Sequence, residues 1–273
     1  MTSLKEGLRL TGGGVVSIVG AGGKTSLMFR IARELSRAGE SVLTTTTTKI
    51  LMPAKHQSPR VIISNSLEEI LIKSGVVIKE APHITAASEV LTPMFDGHSR
   101  EAKMAKRRKL IGFEPEFIDD LHKAGVFRWI LVEADGAAGR PLKAPDLHEP
   151  VIPESTAKII GVIGLDGMAK PLNEKWVFRP RRFGEITGLR HNEIITEIDC
   201  VSAILHENGI MKGAPVGAVR MILLNKADHP ERLAVARKIV SLLEKKKDTG
   251  LQRIIIGQVL HEPAVIEYCD LRK

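Results

Sequence analysis

Apolar and polar positions along this chain switch repeatedly between a strand period and a helix period. The apolar run Val15-Val16-Ser17-Ile18-Val19 leads into Gly20-Ala21-Gly22-Gly23-Lys24-Thr25, and then Leu27, Met28, Ile31, Ala32 and Leu35 fall on one helical stripe. This predicts a buried strand, a glycine turn and a helix over 24–38 that stops at Gly39. Further strands are expected at Ser41 to Thr46, Val61 to Ser64, Phe127 to Val132, Lys158 to Leu165, Val219 to Leu224 and Gln252 to Ile256. Helices are expected from Ser66 to Lys73, Glu114 to Ala124, 193 to 207 and Glu231 to Lys247. Between 81 and 112 the periodicity weakens, which predicts an irregular excursion with one basic helix at Lys103 to Lys109. Strands alternating with helices predict an α/β chain: a three-layer, phosphate-loop NTPase-like fold with a mostly parallel sheet, in one domain over residues 1–273.

Composition narrows the class. At 273 residues and 43% hydrophobic content the chain can bury a large core. No apolar run reaches the length of a membrane span, and Met1 to Leu10 carries charges without a signal-peptide core, so a cytoplasmic protein with no membrane partner is expected. Cys200 and Cys269 are too few for a disulfide framework and are expected as free thiols. The net charge of +8 and a pI near 9.5 favour anionic partners. With aromatics at only 4% and the basic residues scattered, a nucleotide is the expected partner and nucleic acid is not.

The glycine turn carries the candidate chemistry. Gly20, Ala21, Gly22, Gly23, Lys24, Thr25 and Ser26 can curl their amides around an anionic phosphate chain at a helix N-terminus. Lys24 can reach the β/γ-phosphates, and the hydroxyl of Thr25 can ligate Mg²⁺. The usual G-x-x-x-x-G-K-[ST] spacing would put glycine at position 18, where this chain has Ile18, so the loop is shorter or differently shaped. Glu133 and Asp135 end an apolar strand pattern. A carboxylate buried there needs a pair or a metal, so both are candidates for Mg²⁺ and, with Lys24, for catalysis. Asn225-Lys226-Ala227-Asp228 follows a strand with the N-K-x-D spacing of guanine sites. A carboxylate at 228 accepts from guanine N1–H and its exocyclic amine, donors adenine lacks there, so GTP is expected ahead of ATP. The threonine run to Thr46, Thr47 and Thr48 with Lys49, together with Arg140, Lys143 and His148, could line the γ-phosphate or substrate side.

On Gly20-Ala-Gly-Gly-Lys-Thr, the threonine run, Glu133 to Pro145, His148-Glu149-Pro150 and Asn225 to Asp228, the chain resembles the YqeC family from about Gly14 to Ile254. Members are described as selenium-cofactor biosynthesis proteins and as accessory proteins of selenium-dependent molybdenum hydroxylases. The resemblance implies a phosphate-loop NTP-binding protein whose partners include a molybdenum hydroxylase or a selenium donor protein. Beside nucleotide hydrolysis, two activities fit the same residues: a small-molecule kinase or ligase using ATP, and a nucleotide-switched, non-catalytic chaperone of a molybdoenzyme.

Overall fold

A computed structural model describes residues 2–91 and 108–271. The short helix α1 (Leu4–Gly7), opened by a capping box in which Ser3 and Glu6 bond reciprocally, precedes strand β1 (Gly14–Gly20) and helix α2 (Lys24–Arg37). Strands β2 (Val42–Thr46), β3 (Lys49–Leu51) and β4 (Arg60–Ile63) lead to helix α3 (Leu67–Val77), whose first turn is capped by the Ser66 hydroxyl. Strands β5 (His83–Ala87), β6 (Glu89–Leu91) and β7 (Lys109–Ile111) come before helix α4 (Pro115–Lys123) and strand β8 (Trp129–Glu133). After β9 (Leu142–Lys143), β10 (Thr156–Gly164) and β11 (Val177–Phe178) come helices α5 (Pro180–Thr187) and α6 (Glu197–Leu205). Strand β12 (Val219–Asn225), helix α7 (Pro230–Glu244), β13 (Arg253–Gly257) and β14 (Val265–Asp270) complete the order.

Nine strands form one sheet in the order β14-β13-β12-β10-β1-β8-β2-β5-β4, parallel throughout except for the β13–β14 pair. The apolar core lies on both of its faces. Val15 and Val19 of β1 point into one cluster with Ile118, Ile204, Ala236 and Ile239, from α4, α6 and α7. Val16 and Ile18 point into the other with Leu4 of α1 and Leu27, Ile31 and Leu35 of α2. Alternation along a strand buried on both sides therefore builds the three layers. Ser17, in the middle of that apolar run, is fully buried and shares its proton with the Thr156 hydroxyl of β10 at 2.8 Å.

The chain winds from β1 outward through β2, β4 and β5, returns to place β8 against β1, and then crosses to β10 on the other side. Beyond the carboxyl ends of β1, β8 and β10 this reversal opens the crevice where parallel sheets bind ligands. Part of the expected excursion at 81–112 belongs to this sheet, because His83–Ala87 is β5, fully buried between β2 and β4. Small residues, Thr85, Ala86 and Ala87, gave that strand a weak apolar signal. β7 pairs with both β3 and β6 in a separate three-stranded sheet. Of the expected basic helix, residues up to 107 lie outside the described residues, and Lys109 is in β7. Among the described residues, no helix is long and apolar enough to cross a membrane.

Candidate functional site

The turn after β1 is locked by close approaches that only glycine allows. A Cβ on Gly22, at φ +83°, would lie 2.4 Å from the Gly164 Cα, and one on Gly23, at φ +135°, would lie 2.3 Å from the Asn225 amide nitrogen. The loop amides therefore sit against the ends of β10 and β12, and α2 begins at Lys24 with no side-chain cap. Its first N–H groups are left for an anion.

Lys24 is folded back into this cradle, only 4% exposed. Its ammonium donates to the Gly20 carbonyl at 2.7 Å and faces Asp135 Oδ1 at 3.1 Å and Glu133 at 3.8 Å. Burial would discharge that ammonium, but Asp135 and Glu133 outweigh it and raise its pKa above the usual lysine value. Glu133 goes the other way. Burial dominates and pushes its carboxyl upward, against the opposing pull of Lys24 and the Thr25 hydrogen bond. The Thr25 hydroxyl donates to Glu133 Oε2 at 2.6 Å, and the Gly20 amide donates to Asp135 Oδ2 at 3.0 Å. Asp135 Oδ1 is buried and receives no directed hydrogen bond.

This donor set fits Mg²⁺, which prefers oxygen and binds through one or two carboxylates plus substrate phosphates. Thr25 and Glu133 present adjoining oxygens, and Asp135 Oδ1, held only by the charge of Lys24, lies in the same pocket. Among the described residues no cage of three or more His, Cys, Asp or Glu side chains exists, so the fit is to a cation arriving with a phosphate chain.

The other expected site residues divide into those brought to this edge and those turned elsewhere. Asn225 is buried; its amide donates to the Gly22 carbonyl at 2.8 Å, and its oxygen accepts from the Val259 amide at 3.0 Å. It clamps the glycine turn to the loop after β13. Lys226, at φ +67°, pairs with Asp166 Oδ2 at 2.7 Å, and the half-exposed Asp228 pairs with Arg232 one turn along α7. The Thr46 hydroxyl donates to the Glu133 carbonyl at 2.6 Å, and the Thr47 hydroxyl to the Val151 carbonyl at 2.7 Å. Thr48 shares a hydrogen bond with Thr46, and Lys49 is exposed on β3. The run thus ties the end of β2 to β8 through Thr46 and to the Val151 segment through Thr47. Ser26 is partly buried behind the loop. Arg140 donates to the Ala138 and Glu174 carbonyls, and His148 is exposed.

Lys143 is the surprise. Its side chain is 1% exposed, and its ammonium bridges Asp135 Oδ2 at 2.9 Å and Glu149 Oε2 at 2.7 Å. Arg179 holds Glu149 through two N–H groups, at 2.6 and 3.0 Å. Burial alone would raise the Glu149 carboxyl, but Arg179 and Lys143 together hold it below the usual range. Glu149 and Arg179 were not foreseeable as partners, because they stand thirty residues apart and meet only once β9 pairs with β11. A weak signal existed in the bare density of charge between Lys143 and Arg182.

Comparison with known proteins bears on the same residues. The family model described as YqeC protein matches residues 16–181, which include the glycine turn, both strand-end acids, Lys143 and Arg179. A protein of Escherichia coli (strain K12) described as "Uncharacterized protein YqeC" is 34% identical over 252 residues, covering 92% of this chain and 90% of that relative.

Proposed function

The chain belongs to the YqeC family, and from that premise we propose that it is an Mg²⁺-dependent nucleotide-binding protein that uses GTP in preference to ATP. The observation that carries the reading is the buried cluster of Lys24, Thr25, Glu133 and Asp135 beneath a glycine cradle at the topological reversal of the sheet. A triphosphate laid on the free amides of α2 offers Lys24 a stronger anion than its present carbonyl partner. Thr25 and Glu133 would hold Mg²⁺, with Asp135 beside it, and the cation would neutralise charge on the β- and γ-phosphates. Phosphoryl transfer, to water or to an acceptor, then depends on positioning more than on a nucleophile from the chain.

Base choice falls to the loop that Asn225 fixes. With Asn225 holding that loop against Gly22, Lys226 can lie along the base plane and Asp228 can exchange Arg232 for guanine N1–H and its amine. The role in selenium or molybdenum cofactor preparation, with a molybdenum hydroxylase or selenium donor as partner, rests on the family resemblance. A kinase-like acceptor site built from Thr46, Thr47, Arg140 and Lys143 has less support, since the two threonine hydroxyls are spent on backbone carbonyls, Lys143 is held by Glu149 and Gly136, and Arg140 is turned to the Ala138 and Glu174 carbonyls.

A fluorescent GTP analogue displaced by unlabelled GTP or ATP tests the reading. With Mg²⁺, GTP is expected to compete at least about tenfold better than ATP, and Asp228→Ala to erase the difference, a discrimination of the size that unpaired polar groups give. Equal competition by both nucleotides in the parent contradicts the base assignment, and no binding contradicts the cradle.

A further inference from the structure

We propose that Lys143 is a positioning residue of the phosphate site: it holds Asp135 in place when Lys24 turns away to the nucleotide, and Glu149 and Arg179 hold Lys143. The inference rests on the nucleotide reading above and assigns a role that reading leaves open.

In the structure Lys24 is a shared counter-ion for two carboxylates, with Asp135 2% and Glu133 6% exposed. A phosphate chain that draws this ammonium outward strands both of them in a low-dielectric pocket, where an unpaired charge is strongly unfavourable. Asp135 has a second cation on its other oxygen, the Lys143 ammonium at 2.9 Å. That ammonium has nothing left for a substrate. It donates to Glu149 and to the Gly136 carbonyl, each at 2.7 Å, and its remaining contact is the ion pair with Asp135. Its backbone is fixed in register opposite Phe178, and the Arg179 guanidinium that grips Glu149 lies 4.5 Å over the Phe178 ring. Asp135 in turn accepts the first amide of the phosphate loop, that of Gly20. Lys143 therefore acts on the loop through Asp135, from a place set by β9 and β11.

Mg²⁺ bound beside Glu133 would also compensate Asp135, so the need for Lys143 is greatest without metal. The experiment measures affinity for a fluorescent GTP analogue with saturating Mg²⁺ and with EDTA. Lys143→Met is expected to lose at least about tenfold in EDTA and no more than about threefold with Mg²⁺, with Lys143→Arg restoring most of the EDTA affinity. A merely structural lysine would lower both affinities by the same factor, and that result overturns the proposal. If Lys143→Met fails to fold, Glu149→Gln removes the carboxylate that holds Lys143 while leaving the Lys143 ammonium in place, and the same Mg²⁺-dependent loss, smaller in size, is expected. An equal loss in that variant overturns the proposal as well. Failure of the parent to bind in either condition overturns the nucleotide reading instead.

Discussion

His83 sits at the start of β5 with its ring 3% exposed and its Nε2 3.1 Å from the Thr44 hydroxyl. Burial pushes its pKa down from 6.5 to about 4. The unfolded chain therefore binds a proton that the folded chain refuses between those values, so His83 favours folding above pH 6.5 and loses that contribution as pH falls toward 4. Between pH 7.5 and 4.5 this amounts to about 2.5 kcal/mol. Urea unfolding of the parent and of His83→Gln over this range should show the parent falling more steeply by about that amount, and parallel curves would contradict the assignment. The convergence of the site residues was partly legible in the sequence at this scale. A strand, a tight turn and a helix fix Lys24 and Thr25 locally, while Glu133 and Asp135 reach them because β8 pairs in parallel with β1 and ends beside the same turn. Lys143 reads as a substrate contact because nothing in the sequence shows that the segments flanking β9 curl Asp135, Gly136 and Glu149 onto its ammonium; only the fold shows that its charge is already matched.

Elements were legible where apolar period and length agreed, and β1, α2, β8 and β12 stand within a few residues of expectation. Most strands that escaped were short or at an edge: β3, β6 and β7 have three residues each, β9 and β11 two, and β14 lies at the antiparallel rim, while the interior β5 escaped because its residues are mostly small or polar. Nothing local distinguishes such a segment from a loop, since pairing with a distant strand decides it. The same remoteness hid the work of Asn225, which joins the ends of β1, β12 and β13 through one side chain. Asn225→Ala leaves the Gly22 carbonyl and the Val259 amide unmatched in a buried place, which should cost about 1–3 kcal/mol of stability. Denaturant unfolding measures that loss, and nucleotide affinity should fall with it for GTP and ATP alike. A variant of parental stability and affinity would show that the clamp is incidental.

The whole molecule gathers Glu133 and Asp135 after β8, Asp166 after β10 and the glycine turn after β1 at the carboxyl ends of the parallel strands, while the helical layers on both faces hold the core. A basic chain of +8 with that site built from amides and a buried ammonium is suited to a small polyanion. Lys24 is the point at which stability and binding diverge. Lys24→Ala removes the counter-ion of Glu133 and Asp135, so the free variant should melt below the parent, whatever the ligand does. The decisive quantity is the ligand-induced shift. Thermal melting of the parent and of Lys24→Ala should be followed with and without Mg²⁺-GTP at about a hundred times its Kd. Binding to the folded state alone adds about 2.7 kcal/mol, a rise of several degrees for a chain of this size. The account predicts that rise in the parent and its loss in Lys24→Ala; an unmoved parent, or an equal rise in both, would contradict it.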